Sequence, residues 1–510
     1  MTRYFLGIDL GSSGLKVTFL STDHVATGPF ICEIPGIFSK VGWTEQRPEL
    51  WYDLLCKLLS KAFSRTGIRP SEVLAVSVDA ATHTTVLLDQ DFHPLRPAIM
   101  WNDQRAVKVA GRLNRERRDE IVAATNHPPG AMWSLCQNIW VAENEPELWR
   151  SVRRLMFAKD YLRYRLTGEY VTDFIDAQGS QFYDVKERRW SASLCGLMGI
   201  GAEQLPSIQK PTDPAGSITT MAAEDTGLLA GTKVFTGTTD TVMEVLAAGA
   251  TKPGQSTLKL ATSGRICVVT DRAYPHPQLV NYSHVVEGLW YPGTGTRSCA
   301  TSLRWFKDNF AQYERQIAEA GGTSIYGLLD QSASCVEVGA EGLFFHPYLL
   351  GEFTPYSNAN LRASFIGAGM KHTKAHFVRA ILEGTAYSLR DCMQVFETLD
   401  ITAQGTVKLI GGGSRSALWA QIAADVMGIE LEKLRIFDSS FGSAMLAAVG
   451  CGHFSGFSEA VSACVVTDCI ISPRAENIER YDRLFQIYKD ITVRLAPVYD
   501  KLSELLNVPE

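Results

Sequence analysis

The alternation of apolar and polar positions sets out an α/β chain. Tyr4–Asp9 is a nearly unbroken apolar run that ends at Gly11-Ser12-Ser13-Gly14, and Leu15–Leu20 follows as its hairpin partner. From Pro48 the period changes: Trp51, Leu54, Leu55, Leu58 and Ala62 recur at helical spacing, with proline at the first helical position. Val73–Val78 and Thr85–Leu88 read as strands again, and strands alternating with helices argue for α/β layers.

The second half restarts this plan. Leu258–Leu260 leads into Ala261-Thr262-Ser263-Gly264, and Arg265–Thr270 continues as a strand. DLGSSGLKVTFLSTD from Asp9 and KLATSGRICVVTDRA from Lys259 share a strand, a turn of small residues and a second strand. A long helix is expected near Lys374–Val395. Val407–Ile410 then runs into Gly411-Gly412-Gly413-Ser414, and a helix follows from Ser416 to about Met427. Ile478, Tyr481, Leu484, Phe485, Tyr488, Ile491 and Leu495 form a final helical stripe that reads as core packing. Two related halves are one reading of the shared hairpin, and a chance match of short segments is the other. The boundary is expected at Gly249–Gly254, within the small-residue stretch AAGATKPGQS, which gives domains of residues 1–250 and 251–510.

Composition narrows the class. A chain of 510 residues with 45% hydrophobic and 20% charged positions has material for two cores and is not disordered. A net charge of −6 gives no general basic face, so neither nucleic acid nor an anionic membrane is an expected partner. The 11 cysteines are scattered and odd in number, without a C-x-x-C pair, which suits a reducing cytosol. MTRYFLGIDLG lacks a long apolar segment and a small-residue cleavage site, and no apolar run approaches a membrane span. The expectation is a cytoplasmic protein.

Several segments can carry chemistry. In Asp9-Leu10-Gly11-Ser12-Ser13-Gly14, backbone N–H groups and hydroxyls can face an anion while the strand-end carboxylate holds a divalent cation there; a plain hairpin is the alternative. Thr262-Ser263-Gly264 offers a second such turn, and there is no G-x-x-x-x-G-K-[ST] loop. Thr241 and Glu244 match a capping box, which leaves Asp240 just outside the helix and free to accept a proton from a hydroxyl. Gly411–Gly413 precede a helix and admit either a flat ligand or a flexible turn. Ala81-Thr82-His83-Thr84 and Trp101-Asn102-Asp103-Gln104-Arg105 suit a polyhydroxylated ligand; a hydrogen-bonded structural histidine and a core tryptophan are the alternatives.

Taken in order, the segments resemble the FGGY carbohydrate kinases of the actin-like ATPase superfamily, from Gly7 to about Gly450. The resemblance rests on GIDLGSSGLK, GWTEQRPELW, IMWNDQR, AKDYLRYRLTGE with TDFIDAQGSQFYD, GTTDTVMEVLAAGA, PYLLGEFTP, RAILEGTAYSLRD and GGGSRSALWAQIAADVMG. It implies two actin-like (ribonuclease H-like) domains with a nucleotide and sugar cleft between them. It also implies ATP and Mg²⁺ as cofactors, with Asp9 serving the metal. Gly11, Ser12, Ser13 and Lys16 would form the first phosphate motif, Thr262, Ser263 and Gly264 the second, and Gly411, Gly412, Gly413 and Ser416 the adenosine motif. Asp240 matches the family's catalytic base, and Thr82, His83, Trp101, Asn102 and Arg105 fall where the sugar is bound.

Among the branches, WNDQR and WTEQRPELW look most like xylulokinases, so the expected reaction phosphorylates the terminal hydroxyl of D-xylulose. Another ketose, a polyol or a sugar acid is the alternative acceptor. A chaperone-like ATPase and a non-catalytic sugar sensor are the alternatives of other classes. Three departures bear on the sugar: Ala81-Thr82-His83-Thr84 replaces Gln-Met-His-Gly, Phe353 replaces an arginine, and Gln137 replaces a lysine. The partner expected is a small sugar, and a homodimer is left open.

Overall fold

The computed structural model describes residues 2–322 and 324–506. Its framework is two mixed sheets. Strands β1 (Tyr4–Leu10), β2 (Gly14–Ser21), β3 (Ala26–Glu33), β4 (Val73–Ala80), β5 (Pro214–Ser217) and β6 (Lys233–Thr239) form the first, in the order β5-β6-β4-β1-β2-β3. The second contains β7 (Ser256–Leu260), β8 (Gly264–Val268), β9 (Val280–Ser283), β10 (Trp290–Thr296), β11 (Val407–Ile410), β12 (Leu431–Leu434) and β13 (Thr467–Ile471), in the order β9-β10-β8-β7-β11-β12-β13. The stretch β6-β4-β1-β2-β3 and the stretch β12-β11-β7-β8-β10 follow one plan: a central strand antiparallel to its hairpin partner and parallel to the next strand inward. The shared hairpin in the sequence is therefore part of a five-strand repeat, which favours related halves over a chance match.

Three apolar cores hold these layers. Helix α1 (Pro48–Thr66) covers one face of the first sheet, setting Trp51, Leu55 and Leu59 against Ile8, Val17 and Val76. In the second half, α2 (Lys374–Thr398), α3 (Ala417–Met427) and α4 (Ala475–Leu506) enclose Leu258, Leu260 and Ile266; the terminal stripe contributes Tyr481, Phe485 and Tyr488 as expected. The third core joins the halves. Asp240–Ala247 and Ser439–Gly450 are helices that pack Val242, Met243, Phe441 and Met445 against Phe5, Ala75 and Phe235 of the first sheet. The late helix Ser439–Gly450 thus returns to the N-terminal sheet, so the cores interlock although the sheets are successive in sequence.

That return depends on backbone contact. A Cβ on Gly7 would lie 1.8 Å from the Ser440 carbonyl oxygen, and one on Gly442 would lie 2.2 Å from the Met243 carbonyl oxygen. Thr18 and Ser440 share a hydroxyl hydrogen bond of 2.7 Å beside the first contact.

Two local expectations change. Thr85–Leu88 pairs with Arg154–Phe157 in a separate ladder, not with the main sheet. The helix after the Gly-Thr-Thr turn begins at Asp240 with Thr239 as its cap residue, so Thr241 and Glu244 form no capping box. The cause is that β6, after an irregularity at Gly237, stays in the strand to Thr239, whose own extended backbone takes the cap position; Glu244 instead reaches Lys259 at 2.5 Å. All 11 cysteines are free, and no helix among the described residues is long and apolar enough to cross a membrane.

Replacing Gly7 by alanine should push the returning helix off β1. Overpacking of this kind typically costs about 1–3 kcal/mol, and a clash with backbone sits at the upper end of that range or beyond it. Urea unfolding of Gly7→Ala should show this loss; an unchanged midpoint would contradict the close approach.

Candidate active site

Three carboxylates converge at the ends of the first sheet's central strands. Asp9 on β1 and Asp79 on β4 stand opposite each other in the parallel register, and Asp240 follows β6 on the far side of β4. Asp9 and Asp79 are buried, and Asp240 is partly accessible. The Asp9 Oδ2 accepts from the Lys16 ammonium at 2.8 Å, and Lys16 also reaches Asp438 at 2.9 Å. Burial pulls the Lys16 ammonium toward the neutral form, but Asp9 and Asp438 outweigh it and keep the lysine charged. Burial and then the Asp9 charge push Asp79 well above the usual carboxylate range, while the Ser443 hydroxyl donates to it. Burial, Glu244 and Asp9 lift Asp240 to about 6, and the hydroxyls of Thr82 and Thr241 donate to its Oδ1 at 3.1 and 3.2 Å. Among the described residues, Asp9 Oδ1 and Asp79 Oδ1 have no hydrogen-bond partner. Two unpartnered, hard carboxylate oxygens side by side fit a divalent cation such as Mg²⁺.

The small-residue turns flank this cluster. Gly11 N–H donates to the Gly14 carbonyl at 3.0 Å, closing the first turn with Ser12 and Ser13 exposed. Trp101 donates its indole N–H to Ser12 Oγ at 2.8 Å, so this tryptophan lies over the turn and is not core. In the second turn Thr262 is exposed and Gly264 is buried; a Cβ on Gly264 would sit 2.9 Å from Leu389 Cδ2. Helix Ala300–Phe310 abuts this turn, and its Arg304 donates to Thr262 Oγ1 at 3.0 Å.

The three glycines divide into two kinds. Gly411 has φ +88°, and a Cβ there would meet the Leu260 carbonyl oxygen at 2.5 Å; a Cβ on Gly413 would meet Leu260 Cβ at 2.7 Å and Trp419 at 2.8 Å. Those two are required by the strand-to-helix junction. A Cβ on Gly412 would meet nothing within 4 Å. Ser416 caps α3 by accepting from Trp419 N–H at 3.0 Å, so its hydroxyl serves the helix.

Beside Asp240, at the segment where a sugar site was expected, Thr82 touches the carboxylate while His83 is fully buried in the left-handed region at φ +49°. Its N–H donates to Asp176 at 2.7 Å, but neither ring nitrogen has a hydrogen-bond partner among the described residues, and burial lowers the imidazole to about 3. A buried imidazole without partners is costly, and a polyhydroxylated ligand would satisfy it. Trp133 lies 4.9 Å from the His83 ring and 4.5 Å from the His127 ring, with Tyr282 of β9 beyond them. Asn102 is exposed at the rim. Arg105 is engaged elsewhere: its guanidinium grips Asp103 at 2.8–2.9 Å and Glu45 at 2.8 Å, and lies 3.8 Å from the Trp43 ring. The structure thus brings Thr82, His83 and Asp240 together and sets Arg105 in a brace behind Trp101. Gln137, where a lysine was noted as common, donates to the Met100 carbonyl at 3.0 Å.

Asp79, Trp133, His127 and Tyr282 escaped the sequence reading. Asp79 carried a signal, since VSVDA ends a buried strand on an acid just as GIDL does. The three rings meet only through the fold.

Known proteins resemble this chain along most of its length. The model of the FGGY family of carbohydrate kinases, N-terminal domain, matches residues 4–247, and that of the C-terminal domain matches residues 236–451. The chain is 31% identical over 492 residues to a xylulose kinase of Bacillus subtilis, covering 96% of each chain. It is 27% identical over 511 residues to a gluconokinase of the same species, covering 99% of this chain and 98% of that one. The crystal structure of xylulose kinase from Rhodospirillum rubrum superposes with a TM-score of 0.85 at 28% identity, covering 98% of this chain and 100% of that chain.

Because Gly412 faces open space, Gly412→Val should leave the melting temperature unchanged while filling the approach to the glycine turn. The expected outcome is a raised KM for ATP with acceptor affinity kept. Calorimetry showing lost acceptor binding with normal nucleotide binding would move the nucleotide elsewhere.

Proposed function

The chain belongs to the FGGY family of carbohydrate kinases, and we propose that it transfers the γ-phosphoryl group of ATP to the terminal hydroxyl of a small open-chain sugar. Asp240 carries this reading. Its carboxylate ends the central sheet between the phosphate turns and the unpartnered His83, and its Oδ2 makes no hydrogen bond among the described residues. In the reaction the acceptor oxygen forms a bond to the γ-phosphorus and the bond from that phosphorus to the ADP oxygen breaks. The hydroxyl proton passes to Asp240.

Phosphoryl transfer asks mainly for alignment and charge neutralisation. Asp9 and Asp79 would hold Mg²⁺, which when bound neutralises the phosphate charges. Lys16 orients the Asp9 carboxylate through its 2.8 Å ion pair. Thr82 and Thr241 fix the Asp240 carboxylate toward the acceptor. The turns at Gly11–Gly14 and Thr262–Gly264 present backbone N–H groups to phosphate, and Gly412 leaves room for the nucleoside. His83 takes a sugar hydroxyl, with Trp133 as the wall. Trp101 and Asn102 close the rim.

D-xylulose is the first acceptor to test, because xylulose kinases are prominent among the full-length relatives. Gluconate is the second, since gluconokinases also match at full length. ADP release measured across ketoses, polyols and aldonates tests the reading: turnover should require an acceptor, and ATPase activity insensitive to every sugar would contradict it.

The raised Asp240 carboxyl sets a pH dependence. The base form is populated above about pH 6 and lost below it. With the best acceptor, kcat/KM should therefore fall about tenfold per unit below pH 6 and level off above it. Activity that stays flat to pH 4.5 with the fold intact would remove Asp240 from the proton's path.

A further inference from the structure

Among the described residues, Arg265 makes no ion pair with a carboxylate, and Glu244 acts on it only at a distance. Arg265 follows the second phosphate turn, but strand alternation sends its side chain to the other face from the second-half core. There it shares the side of Cys267 and packs over Gly293, where a Cβ would lie 2.7 Å from Arg265 Nε and 2.8 Å from Nη2. The absence of a side chain at Gly293 is what seats the guanidinium. Its Cζ lies 5.6 Å from the Tyr282 ring centroid and 6.0 Å from that of Tyr291. Tyr282 in turn lies 5.5 Å from His127 and 6.2 Å from Trp133, and Trp133 packs on His83 at 4.9 Å. Arg265 therefore reaches from the C-terminal sheet toward the sugar side of the cleft.

No carboxylate within 4 Å pairs with it among the described residues, and its Nη2 is sealed from solvent without a partner. The acid that faces it, Glu244, is held by Lys259 at 2.5 Å. The tyrosine rings offer only weak attraction at such distances. Arg265 is part-buried, with Nη2 covered and unpartnered among the described residues, and a guanidinium so placed suits a planar anion, which it grips through two parallel N–H groups.

Resting on the phosphotransfer reading above, we propose that the acceptor carries a carboxylate and that Arg265 reads it, so that the substrate class is an open-chain sugar acid. The geometry then gives the molecule a direction. The carboxylate sits against Arg265, the middle hydroxyls face His83 and Trp133, and the hydroxyl at the opposite end meets Asp240. The acidic cluster at Asp9, Asp79 and Asp240 repels the reverse orientation, which fixes phosphorylation at the end remote from the carboxylate.

The test is steady-state kinetics of the full-length protein with MgATP and two sets of acceptors. One set is aldonates of four to six carbons, D-gluconate included; the other is D-xylulose, D-ribulose and glycerol. An aldonate should exceed every uncharged acceptor in kcat/KM by at least about tenfold. Arg265→Leu should raise the KM for that aldonate by at least about tenfold with the melting temperature near wild type, and should change the KM of the best uncharged acceptor by a clearly smaller factor; an equal change in both overturns the carboxylate assignment. Arg265→Lys, which keeps the charge and loses the fork, should fall between the two. If Arg265→Leu does not fold, the lysine variant decides, and an unmoved aldonate KM in it overturns the assignment. Preference for D-xylulose with all aldonates inert overturns the acid class and leaves the kinase reading standing. Absence of acceptor-dependent ADP release in both sets overturns the kinase reading itself.

Discussion

Like charges forced together at the ends of parallel strands govern this molecule. β1 and β4 are in register, so Asp9 and Asp79 are held side by side in a buried position, with Asp240 one strand further on. Two buried carboxylates cannot both stay ionised without help. Lys16 neutralises one, a proton or a cation must serve the other, and the unpartnered oxygens mark where a cation fits. Burial first, and then the charges of Glu244 and Asp9, raise Asp240 into the range of a useful base. The site thus takes its proton affinity from the sheet that supports it.

The interlocked third core keeps this arrangement in register. The helix Ser439–Gly450 lies on β1 through Gly7 and supplies Ser443 to Asp79, while Asp438 at its start holds Lys16. Residues more than 350 positions away in sequence therefore donate to Asp79 and hold the lysine that pairs with Asp9. On the sugar side, Asn281 N–H donates to His127 and Ser283 donates to Gln178, so the second sheet also frames the pocket below His83. Any movement between halves changes both the acid cluster and the sugar wall.

Much of this was readable from the sequence. The hairpins, the glycine turn, the helix from Pro48 and the terminal stripe follow from apolar periodicity, because each buries one face against a layer. Asp9 and Asp240 stand out as acids at strand ends. Other features depended on three-dimensional register. Asp79 matters only because β4 pairs with β1 at that offset. Arg105 looks like a sugar ligand in WNDQR, yet Glu45, Asp103 and Trp43 converge on it from separate segments. Thr241 and Glu244 fit a capping pattern, but Lys259 from β7 draws the glutamate away. Arg265 reads as an ordinary strand residue until Gly293 and the tyrosines show which way it faces.

The central claim is that Asp240 accepts the acceptor's proton. The direct measurement is kcat and melting temperature on one preparation of Asp240→Asn at pH 8, alongside wild type. Asparagine keeps the shape and cannot take the proton, and a general base contributes typically ~10²–10⁴-fold, so kcat should fall by at least about two orders of magnitude. Because the fold raises this carboxyl above its unfolded value, its charged form at pH 8 is a cost to stability, and the variant should melt at or slightly above wild type. Near-normal turnover with a lowered melting temperature would make Asp240 a helix-end residue and contradict the account.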